Sequence, residues 1–329
     1  MTARPAVTVL ITAHDAAADI GACLRSIAVQ RGVPEGGFEV VLVDDRSSDG
    51  TAEAAHAAGL GNLVLIRVDT PAQSGLTTRQ DALALGIGAA RGDIVLTIDA
   101  DGIVGPDWVA AMTRPIREDR ADAVAGPVYF RAGTGWLARW QTVDVSYYLA
   151  LCSLLDRAAF PGGVLFGNFA FRRDLFDAVG GFEKIGFTLT EDLAFSRALH
   201  RIGARIRYGR EAPVEVAACA SWAVFVERAK RVSSGGFSAL AVVLGVWMAL
   251  LPVLAVPALF LGGVFAWLLA ARYAAGVLFT AWSLMRVRRP SLLPLALLYE
   301  PLAFAIGLRV MASLGRDSHV EWGGKKYER

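Results

Sequence analysis

The sequence predicts an α/β fold, with a mostly parallel sheet flanked by helices, followed by C-terminal transmembrane helices. Over residues 7–208, short apolar, β-branched runs alternate with alanine-rich helical stretches. A β-α-β-α order favours parallel strands with helices on both faces of the sheet. From Val232 to Ala271 there are 40 successive residues without a charge. Only 19% of the 329 residues are charged, below the roughly 25% of soluble domains, and this excludes disordered and collagen-like classes.

The strands and helices of the first part are predicted from their apolar runs and the turn residues that bound them. The predicted strands are Val7–Thr12, Phe38–Asp44, Leu63–Val68 and Asp93–Asp99. The predicted helices are Ala16–Gln30, Thr51–Ala58, Thr78–Ala90 and a later one from Thr190 to about Ile202. Ligands of parallel sheets bind beyond the carboxyl ends of the strands, so the polar residues there are the candidates for a site.

Charge is divided unevenly along the chain. Residues 1–199 hold 17 basic and 24 acidic side chains, whereas residues 200–329 hold 16 basic and 7 acidic ones. The acidic first part argues against nucleic acid as a partner, and the basic, apolar second part suits an anionic membrane surface. The apolar run at residues 7–11 is too short for a signal peptide, so we expect the first part to lie in the cytoplasm.

The cysteines give no sign of a disulfide framework. Cys23, Cys152 and Cys219 lie far apart among apolar neighbours, and no C-x-x-C occurs. This usage indicates buried thiols in a reducing compartment.

The uncharged run is long enough for two membrane crossings. Forty helical residues span about 60 Å, and the hydrocarbon core is about 30 Å thick. We expect two spans within residues 232–285, with Pro252 and Pro257 as candidates for a turn or a kink. A further apolar segment at 291–312 suits a span, a re-entrant hairpin or an interfacial helix. The basic tail at 316–329 favours the cytoplasm, and this requires an even number of crossings.

Paired carboxylates close two of the predicted strands. Asp44 and Asp45 end the second strand, and Asp99-Ala-Asp101 ends the fourth. Alternate residues of an extended chain point to the same side, so Asp99 and Asp101 can address one cation. Carboxylate oxygens suit Mg²⁺ or Mn²⁺ rather than zinc. The sequence therefore predicts a cation site at this edge of the sheet.

Two further segments each have two interpretations. Thr190-Glu191-Asp192 opens a predicted helix, where acidic residues are common for electrostatic reasons alone, but it adds carboxylates to those of the strand ends. Trp136–Tyr147 has aromatic and aliphatic residues at helical spacing. That pattern fits an ordinary packed helix, or a helix near the bilayer, since Trp and Tyr favour that interface.

Taken together, these motifs resemble glycosyltransferase family 2, which has the GT-A fold. The resemblance rests on the opening strand and turn Val7–Asp15, the D-D-x-S-x-D-G-T motif at Asp44–Thr51, the G-x-x-x-A-R-N-x-G segment at Gly75–Ala84, the metal-binding D-x-D at Asp99–Asp101, the acceptor region at Gly167–Phe182, and the T-E-D at Thr190–Asp192. The resemblance implies a catalytic domain at residues 1–231, a membrane region at 232–315 and the basic tail.

The same resemblance implies an inverting transferase that moves a sugar from a nucleoside-diphosphate sugar, a UDP-hexose being the expected donor, to a hydroxyl of a membrane lipid or lipid-linked acceptor. The implied donor-binding residues are Thr12, Ala13, His14, Asp44, Asp45, Arg79, Asp99, Arg228 and Arg231. Asp101, with Asp99, would hold Mg²⁺ or Mn²⁺, and Asp192 would be the catalytic base. Gly167, Asn168 and Glu191 would belong to the acceptor region. For Arg228 and Arg231, a juxtamembrane basic cluster is the alternative.

Departures from the family pattern bear on the product. Processive synthases of the family carry Q-x-x-R-W, and the stretch Glu227–Val232 keeps only Arg231. The tail Trp322–Tyr327 resembles the W-x-G-[RK]-x-Y of members that glycosylate lipids. A processive polysaccharide synthase and a non-catalytic, membrane-anchored nucleotide-binding module remain as alternatives. A phospho-accepting receiver domain is a third, although its acidic pair follows the first strand.

Overall fold

The computed structural model describes residues 4–70, 74–131, 135–233, 239–314, 319–322 and 325–328. For residues 239–241, 314, 319–322 and 325–328 it describes the backbone alone. The chain forms two compact units. The first comprises Met1–Arg131 and Leu151–Ala217, and the second comprises Ala132–Ala150 and Ala218–Arg329.

The described part of the first unit contains ten strands. They are β1 Val7–Ala13, β2 Phe38–Asp45, β3 Leu63–Val68, β4 Ile94–Asp99, β5 Ile103–Val104, β6 Ala123–Ala125, β7 Val128–Arg131, β8 Phe169–Arg172, β9 Ile206–Tyr208 and β10 Val214–Ala217. Seven of them form one sheet in the order β3-β2-β1-β4-β8-β6-β9, and β5, β10 and β7 form a smaller one. Strands β1 to β4 are parallel, whereas β8 is antiparallel to both of its neighbours. The predicted mostly parallel sheet is confirmed.

The four helices predicted at Ala16–Gln30, Thr51–Ala58, Thr78–Ala90 and from Thr190 to about Ile202 are confirmed with ends that differ by at most two residues, and the described residues up to 217 contain eight helices. They are α1 Ala17–Ala28, α2 Thr51–Ala57, α3 Thr78–Ala89, α4 Trp108–Arg117, α5 Trp136–Arg157, α6 Asp174–Ala178, α7 Gly181–Ile185 and α8 Glu191–Arg201. A 3₁₀ turn covers Phe166–Asn168. Helix α5 begins in the second unit and ends in the first.

Aromatic packing fixes the helix that carries the T-E-D motif. Phe195 of α8 is fully buried, and its ring meets that of Phe171 on β8 at a centroid distance of 5.1 Å, edge to face. Phe166, Phe169 and Phe182 surround it in the same core cluster. Edge-to-face pairs stabilise beyond the area they bury. The start of α8 is therefore held against the sheet.

A polar clamp joins the amino ends of the central strands, opposite the edge that carries the acidic motifs. The buried Glu39 of β2 accepts hydrogen bonds of 2.7 Å from the Thr8 hydroxyl of β1 and from the Arg91 backbone N–H. The Arg91 guanidinium, just before β4, donates to the other carboxylate oxygen. Burial alone would raise the pKa of Glu39, but these hydrogen bonds and the charge of Arg91 lower it below its ordinary value.

We expect Glu39→Gln to destabilise the folded protein by about 1–3 kcal/mol at pH 7, because a buried, charge-assisted hydrogen-bond network is weakened. A carboxyl whose pKa is lowered by folding stabilises the fold above its unfolded pKa, and that contribution is lost as the pH falls through the folded pKa. The melting temperatures of the wild-type protein and the variant, measured in detergent from pH 7 to pH 3, should differ at pH 7, and the difference should shrink toward acid pH. A difference in melting temperature that is the same at all pH values would contradict the proposed contribution of the ionised Glu39 to stability.

The described part of the second unit consists of the first part of α5, further helices and a β-hairpin. They are α9 Trp222–Ser233, α10 Ala239–Leu261, α11 Gly263–Arg286, a 3₁₀ segment Pro290–Leu295, α12 Ala296–Leu314, β11 His319–Trp322 and β12 Lys325–Glu328. Three segments among the described residues are long and apolar enough to cross a membrane: Val242–Leu261, Gly263–Arg286 and Pro290–Ser313.

The turn between the first two of these helices differs from the one expected. Pro252 and Pro257 lie inside α10, so neither marks the turn. The chain reverses instead at Gly262 and Gly263, whose φ values of 54° and 53° are readily adopted by glycine alone. The helix predicted from Trp136 is confirmed as the start of α5, and its Trp140, Val143 and Tyr147 are buried within the second unit.

Arg272, the first charged residue after the uncharged run, lies inside a helix and does not end it. Arg272 lies in the middle of α11 and is buried, and its guanidinium donates to the buried Glu300 of α12 at 2.7 Å. It also donates to the backbone carbonyl of Trp247 at 2.7 Å. Paired in this way, both charges are accommodated between apolar helices.

Candidate active site

The strand register brings the acidic motifs to one edge of the sheet. Thr12 of β1 lies beside Asp99 of β4, and Ala13 lies beside Asp44 of β2. Because these strands are parallel and adjacent, their carboxyl ends meet beyond β1. The edge that the sequence indicated as a site is thus formed by three neighbouring strands.

Polar residues of the first two motifs fasten the loops after β1 and β2 to each other. Asp15, at a φ of 49°, accepts a hydrogen bond from the Ser48 N–H at 2.8 Å. Asp49 accepts from the N–H of Ala17, at the start of α1, and from the Thr51 hydroxyl. His14 bonds through Nδ1 to the Asp45 carbonyl at 2.7 Å. Several polar residues of the first two motifs therefore hold the loops after β1 and β2 in place.

The two adjacent carboxylates of β2 differ in their surroundings. Asp45 accepts a two-pronged interaction from Arg46, with distances of 2.7 and 2.9 Å. Asp44 is 2% exposed, and in the part of the chain that the structure describes its Oδ1 atom is buried without a hydrogen-bond partner. A buried carboxylate oxygen without a donor is costly. Asp44 therefore has an acceptor that suits a donor from a ligand.

Arg79 connects two of the acidic motifs. Its Nη2 donates to Oδ1 of Asp99 at 2.6 Å, and its Nε donates to Oε1 of Glu191 at 2.7 Å. The guanidinium is mostly buried, and Glu191 is almost fully so. The interaction ties the end of β4 to the first turn of α8.

The neighbouring Gln80 holds the segment that leads to α8. Thr77 and Gln80 form a capping box at the start of α3, which fixes the first helical turn. The buried Gln80 also donates to the Gly186 carbonyl at 2.8 Å and accepts from the Thr188 N–H at 3.2 Å. The first turn of α3 thus positions both the D-x-D and the T-E-D segments.

Asp101 is held at the same edge. Its Oδ2 accepts from the Ala217 N–H at 2.8 Å, and Nη1 of Arg131 donates to its backbone carbonyl at 2.7 Å. Burial raises the pKa of Asp101, and the nearby negative charge of Asp99 raises it further. Among the described residues, no three His, Cys, Asp or Glu side chains are grouped to hold a metal. Two repelling carboxylates still fit Mg²⁺ or Mn²⁺, which commonly binds one or two carboxylates with substrate phosphates.

Cys23 of α1 lies behind this pair. Its thiol contacts the Asp99 carbonyl, with Sγ 3.8 Å from the oxygen. Burial, together with the charges of Asp101 and Asp99, raises the pKa of this thiol to about 12. It stays neutral, which agrees with the predicted buried thiol; Cys152 is also buried, whereas Cys219 is only partly so, and all three are free.

Gly167 and Asn168 support the acidic edge from behind. A Cβ at Gly167 would lie 2.7 Å from Oδ2 of Asp99, so a side chain there would displace this carboxylate. Asn168 is fully buried. Its amide donates to the carbonyls of Pro127 and Ala212 and accepts from the Trp108 indole. Asn168 thus contacts the scaffold in this structure.

The T-E-D motif divides its carboxylates between two environments. Glu191 is bound by Arg79, whereas Oδ1 of Asp192 accepts from the Leu193 N–H at 2.7 Å in the first turn of α8. Thr190 occupies the N-cap position without a capping hydrogen bond from its side chain. A carboxylate in a first helical turn is stabilised in its charged form.

Arg228 and Arg231 lie on α9, in the second unit. Near Arg228, burial raises the pKa of Asp144, against the opposing effects of the Tyr299 hydroxyl and of the Arg228 charge. The predicted role of Arg228 and Arg231 at the diphosphate of a donor stays a prediction.

The chain matches a known protein family over most of its length. Residues 5–235 match the family described as "Glycosyltransferase like family 2". The chain is 31% identical over 175 residues to the poly-beta-1,6-N-acetyl-D-glucosamine synthase of Staphylococcus aureus (strain COL), covering 52% of this chain and 40% of the synthase. It is 25% identical over 218 residues to the probable glycosyltransferase YdaM of Bacillus subtilis (strain 168), covering 63% of this chain and 50% of the relative. The chain thus matches half or less of the length of these relatives.

A solved structure shares the fold. It is the mannosyltransferase PcManGT from Pyrobaculum calidifontis, in complex with GDP-Man and Mn²⁺, with a TM-score of 0.56 and 21% identity over 94% of this chain and 88% of that one. The chain belongs to glycosyltransferase family 2 and has the GT-A fold.

Several residues that position the acidic motifs were not identified from the sequence. Arg131 and Asp19, which approach each other to 3.7 Å beside Asp101, come from distant elements and have no local signal. Gln80 has one, because Thr77-x-x-Gln80 is a capping-box pattern. The partners of Arg79 lie 20 and 112 residues away in sequence.

We expect Arg79→Gln to destabilise the fold by about 3 kcal/mol, because it leaves two carboxylates without their counter-charge. Replacing Glu191 by Gln in the same protein should add little further loss, since one of those carboxylates is then neutral. Denaturation of the two single variants and the double variant measures this coupling. Arg205→Gln, at an exposed ion-pair network, is the control and should cost less. Additive losses in the double variant would show that Arg79 does not act through Glu191.

Proposed function

We propose that the protein is an inverting glycosyltransferase that moves a hexose from a nucleoside-diphosphate sugar to a hydroxyl of a membrane lipid or lipid-linked acceptor. A UDP-hexose is the expected donor. The observation that carries the proposal is the shared edge, where Asp44, Asp99 and Asp101 meet a T-E-D segment tethered by Arg79. Family membership supports sugar transfer, and three apolar helices support a membrane-associated acceptor.

The nucleoside is assigned to the end of β2 and the loop after β1. Asp44 offers a buried acceptor to an N–H of the base, while Asp45 is occupied by Arg46. Thr12, Ala13 and His14 lie on the neighbouring strand end. His14 is fixed to the Asp45 carbonyl, so it is oriented before a donor arrives, which lowers the entropy cost of binding.

Asp99 and Asp101 are the residues that would hold Mg²⁺ or Mn²⁺. When bound, the cation would neutralise the diphosphate and stabilise the charge that develops on the leaving group. Arg79 limits the negative charge of this edge by pairing with Asp99. Arg131 holds the backbone of Asp101, and the Ala217 N–H holds its carboxylate.

Asp192 is the proposed catalytic base. It would accept the proton of the acceptor hydroxyl as that oxygen attacks the anomeric carbon, while the bond to the nucleoside diphosphate breaks on the opposite face. One base and no carboxylate nucleophile suit a single displacement, which inverts the anomeric centre. Glu191, through Arg79, positions Asp192 relative to Asp99.

A processive synthase is the second candidate, because one relative is named as a poly-beta-1,6-N-acetyl-D-glucosamine synthase. The stretch Glu227–Val232 lacks the Gln and Trp of the processive motif, and this favours transfer of a single sugar. Product length distinguishes the two: a single-sugar lipid supports our proposal, and a polymer ladder supports the synthase.

We expect Asp44→Asn to weaken binding of the donor about 10-fold to 100-fold, because it replaces a charged acceptor with an amide. The unliganded variant should be at least as stable as the wild-type protein, since an unpaired buried carboxylate is removed. Asp45→Asn is the matched control, and it should lose stability while affecting donor affinity less. Calorimetric titration with a panel of nucleotide sugars, beside thermal melting, measures both. Unchanged donor affinity in Asp44→Asn would remove Asp44 from the site.

We expect Asp192→Asn to lower the transfer rate by about 10²–10⁴-fold, the usual effect of removing a general base, with donor affinity within a few-fold of the wild-type value. Glu191→Gln should lower the rate less and the melting temperature more, because it releases Arg79. Donor binding and transfer are measured for both variants.

Two results would overturn the assignment. If Glu191→Gln loses the rate and Asp192→Asn keeps it, the base is the neighbouring residue. If Asp192→Asn loses donor binding to the same degree as transfer, Asp192 belongs to the donor site.

A further inference from the structure

The start and the end of the third apolar segment, residues 290–313, each pack on an apolar cluster that contains a residue of α9. At its start, Leu292, Leu293 and Leu295 pack on the cluster that contains Phe225 of α9. At its end, Val310 packs with Val226 of α9. Phe225 and Val226 are consecutive residues, so the segment begins and ends at the same level of the second unit.

That level is the membrane surface. Helix α9 carries Glu227, Arg228, Lys230 and Arg231 within five residues, a density of charge that the hydrocarbon core does not accept. Trp222, on the same helix, lies 5.9 Å from the ring of Trp136, and Trp favours the interface. Helix α9 therefore lies at the water boundary.

The hairpin of α10 and α11 starts and returns at this level. Helix α10 follows α9 along the chain, and its Leu244 packs on the same cluster as Leu284 near the end of α11. Only Gly262 separates the two helices. At 1.5 Å per residue, each helix is about 35 Å long, enough to cross a core of about 30 Å.

The third segment reaches only partway down that hairpin. Its contacts reach Arg272 and Tyr273 of α11, because Glu300 pairs with Arg272 and the Leu297 carbonyl accepts a hydrogen bond of 2.7 Å from the Tyr273 hydroxyl. Arg272 lies fourteen residues before the end of α11, which is about 21 Å along the helix axis. Nine residues of α11, about 13 Å, separate Arg272 from Gly263 at the turn, so these contacts stop short of the turn.

We infer that residues 290–313 form a re-entrant segment and that the chain crosses the membrane twice, through α10 and α11. No candidate span precedes α10 among the described residues, so the first unit and the tail lie on one side. The backbone of β11, in that tail, also lies against α9. A third crossing would place Val310 on the side opposite α9, which its contact with Val226 forbids.

Polar contacts hold the segment at its deepest point. Glu300 accepts from Arg272, from the Trp247 indole at 2.8 Å and from the Tyr147 hydroxyl at 3.2 Å. The adjacent Tyr299 donates to Asp144 of α5 at 2.8 Å. These partners come from α5, α10 and α11, so the segment is fixed from three helices.

The outer face of α12 is largely apolar, and its exposed charge, Arg309, lies beside Val310 at the end of the segment that packs on α9. Leu297, Leu298, Leu308 and Met311 are each more than half exposed. At about 100° per residue, the buried Tyr299 and Val310 lie on the side of the helix opposite Leu297 and Leu308. One face thus meets lipid, and the other meets the helices of the surface and the hairpin.

The test places one short epitope tag in each of three versions of the full chain: at the N-terminus, between Gly262 and Gly263, and after Arg329. Each is digested by added protease in intact spheroplasts and in inverted membrane vesicles. We expect the two terminal tags to be cleaved from the same side and the Gly262 tag from the opposite side. Lipid-dependent melting temperature shows that each tagged protein is folded.

Cleavage of the tail tag from the side opposite the N-terminal tag would establish three crossings and overturn the inference. Cleavage of all three tags from one side would show that the hairpin does not cross, and would overturn it as well. Neither result depends on sugar transfer, so the inference and the proposed function fail independently.

Discussion

The ion pair of Arg79 with Asp99 and Glu191 is the constraint on which the candidate site depends. It joins β4, whose end carries the D-x-D, to α8, whose first turn carries the T-E-D. Six carboxylates lie at the ends of β2 and β4 and in the first turn of α8, and like charges repel one another. They are Asp44, Asp45, Asp99, Asp101, Glu191 and Asp192. Arg79 and Arg46 offset part of that repulsion, and the acidic edge can thus exist before any cation or diphosphate binds. The T-E-D turn, which contains the proposed base Asp192, and the D-x-D are thus joined in one arrangement.

The sequence was informative where structure is local. Apolar runs and turn residues located β1 to β4 and α1 to α3 within two residues, because strand and helix periods depend on neighbours along the chain. The placement of the acidic motifs at one edge followed from the shared carboxyl ends of parallel strands, whereas the pairing of Asp99 with Thr12 depends on the observed strand order. The partners of Arg79, the support of Asp101 by Arg131 and the burial of Asn168 did not follow, since each joins residues at least 20 positions apart. Only tertiary packing creates such contacts.

The membrane region shows the same division. Composition located the apolar helices, but the turn at Gly262 and the continuation of α11 through Arg272 could not be read from it. A charge in an apolar helix ordinarily ends a span, and Glu300, 28 residues later, is what accommodates this one. Hydropathy also counts residues 290–313 as a third candidate, because it measures transfer into lipid and not the path of the chain. The inferred path rests on the contacts of Val310 with Val226 and of Glu300 with Arg272.

Transfer of a labelled sugar from donor to lipid tests the central claim most directly. Membranes that contain the full chain are given a panel of labelled nucleotide sugars together with a membrane-lipid extract, with and without a chelator. The account predicts that label from one donor enters the lipid fraction as a single-sugar product, that the chelator stops transfer, and that membranes with Asp192→Asn protein show almost none. Transfer at the wild-type rate by the Asp192→Asn protein, or full transfer in excess chelator, would contradict the account.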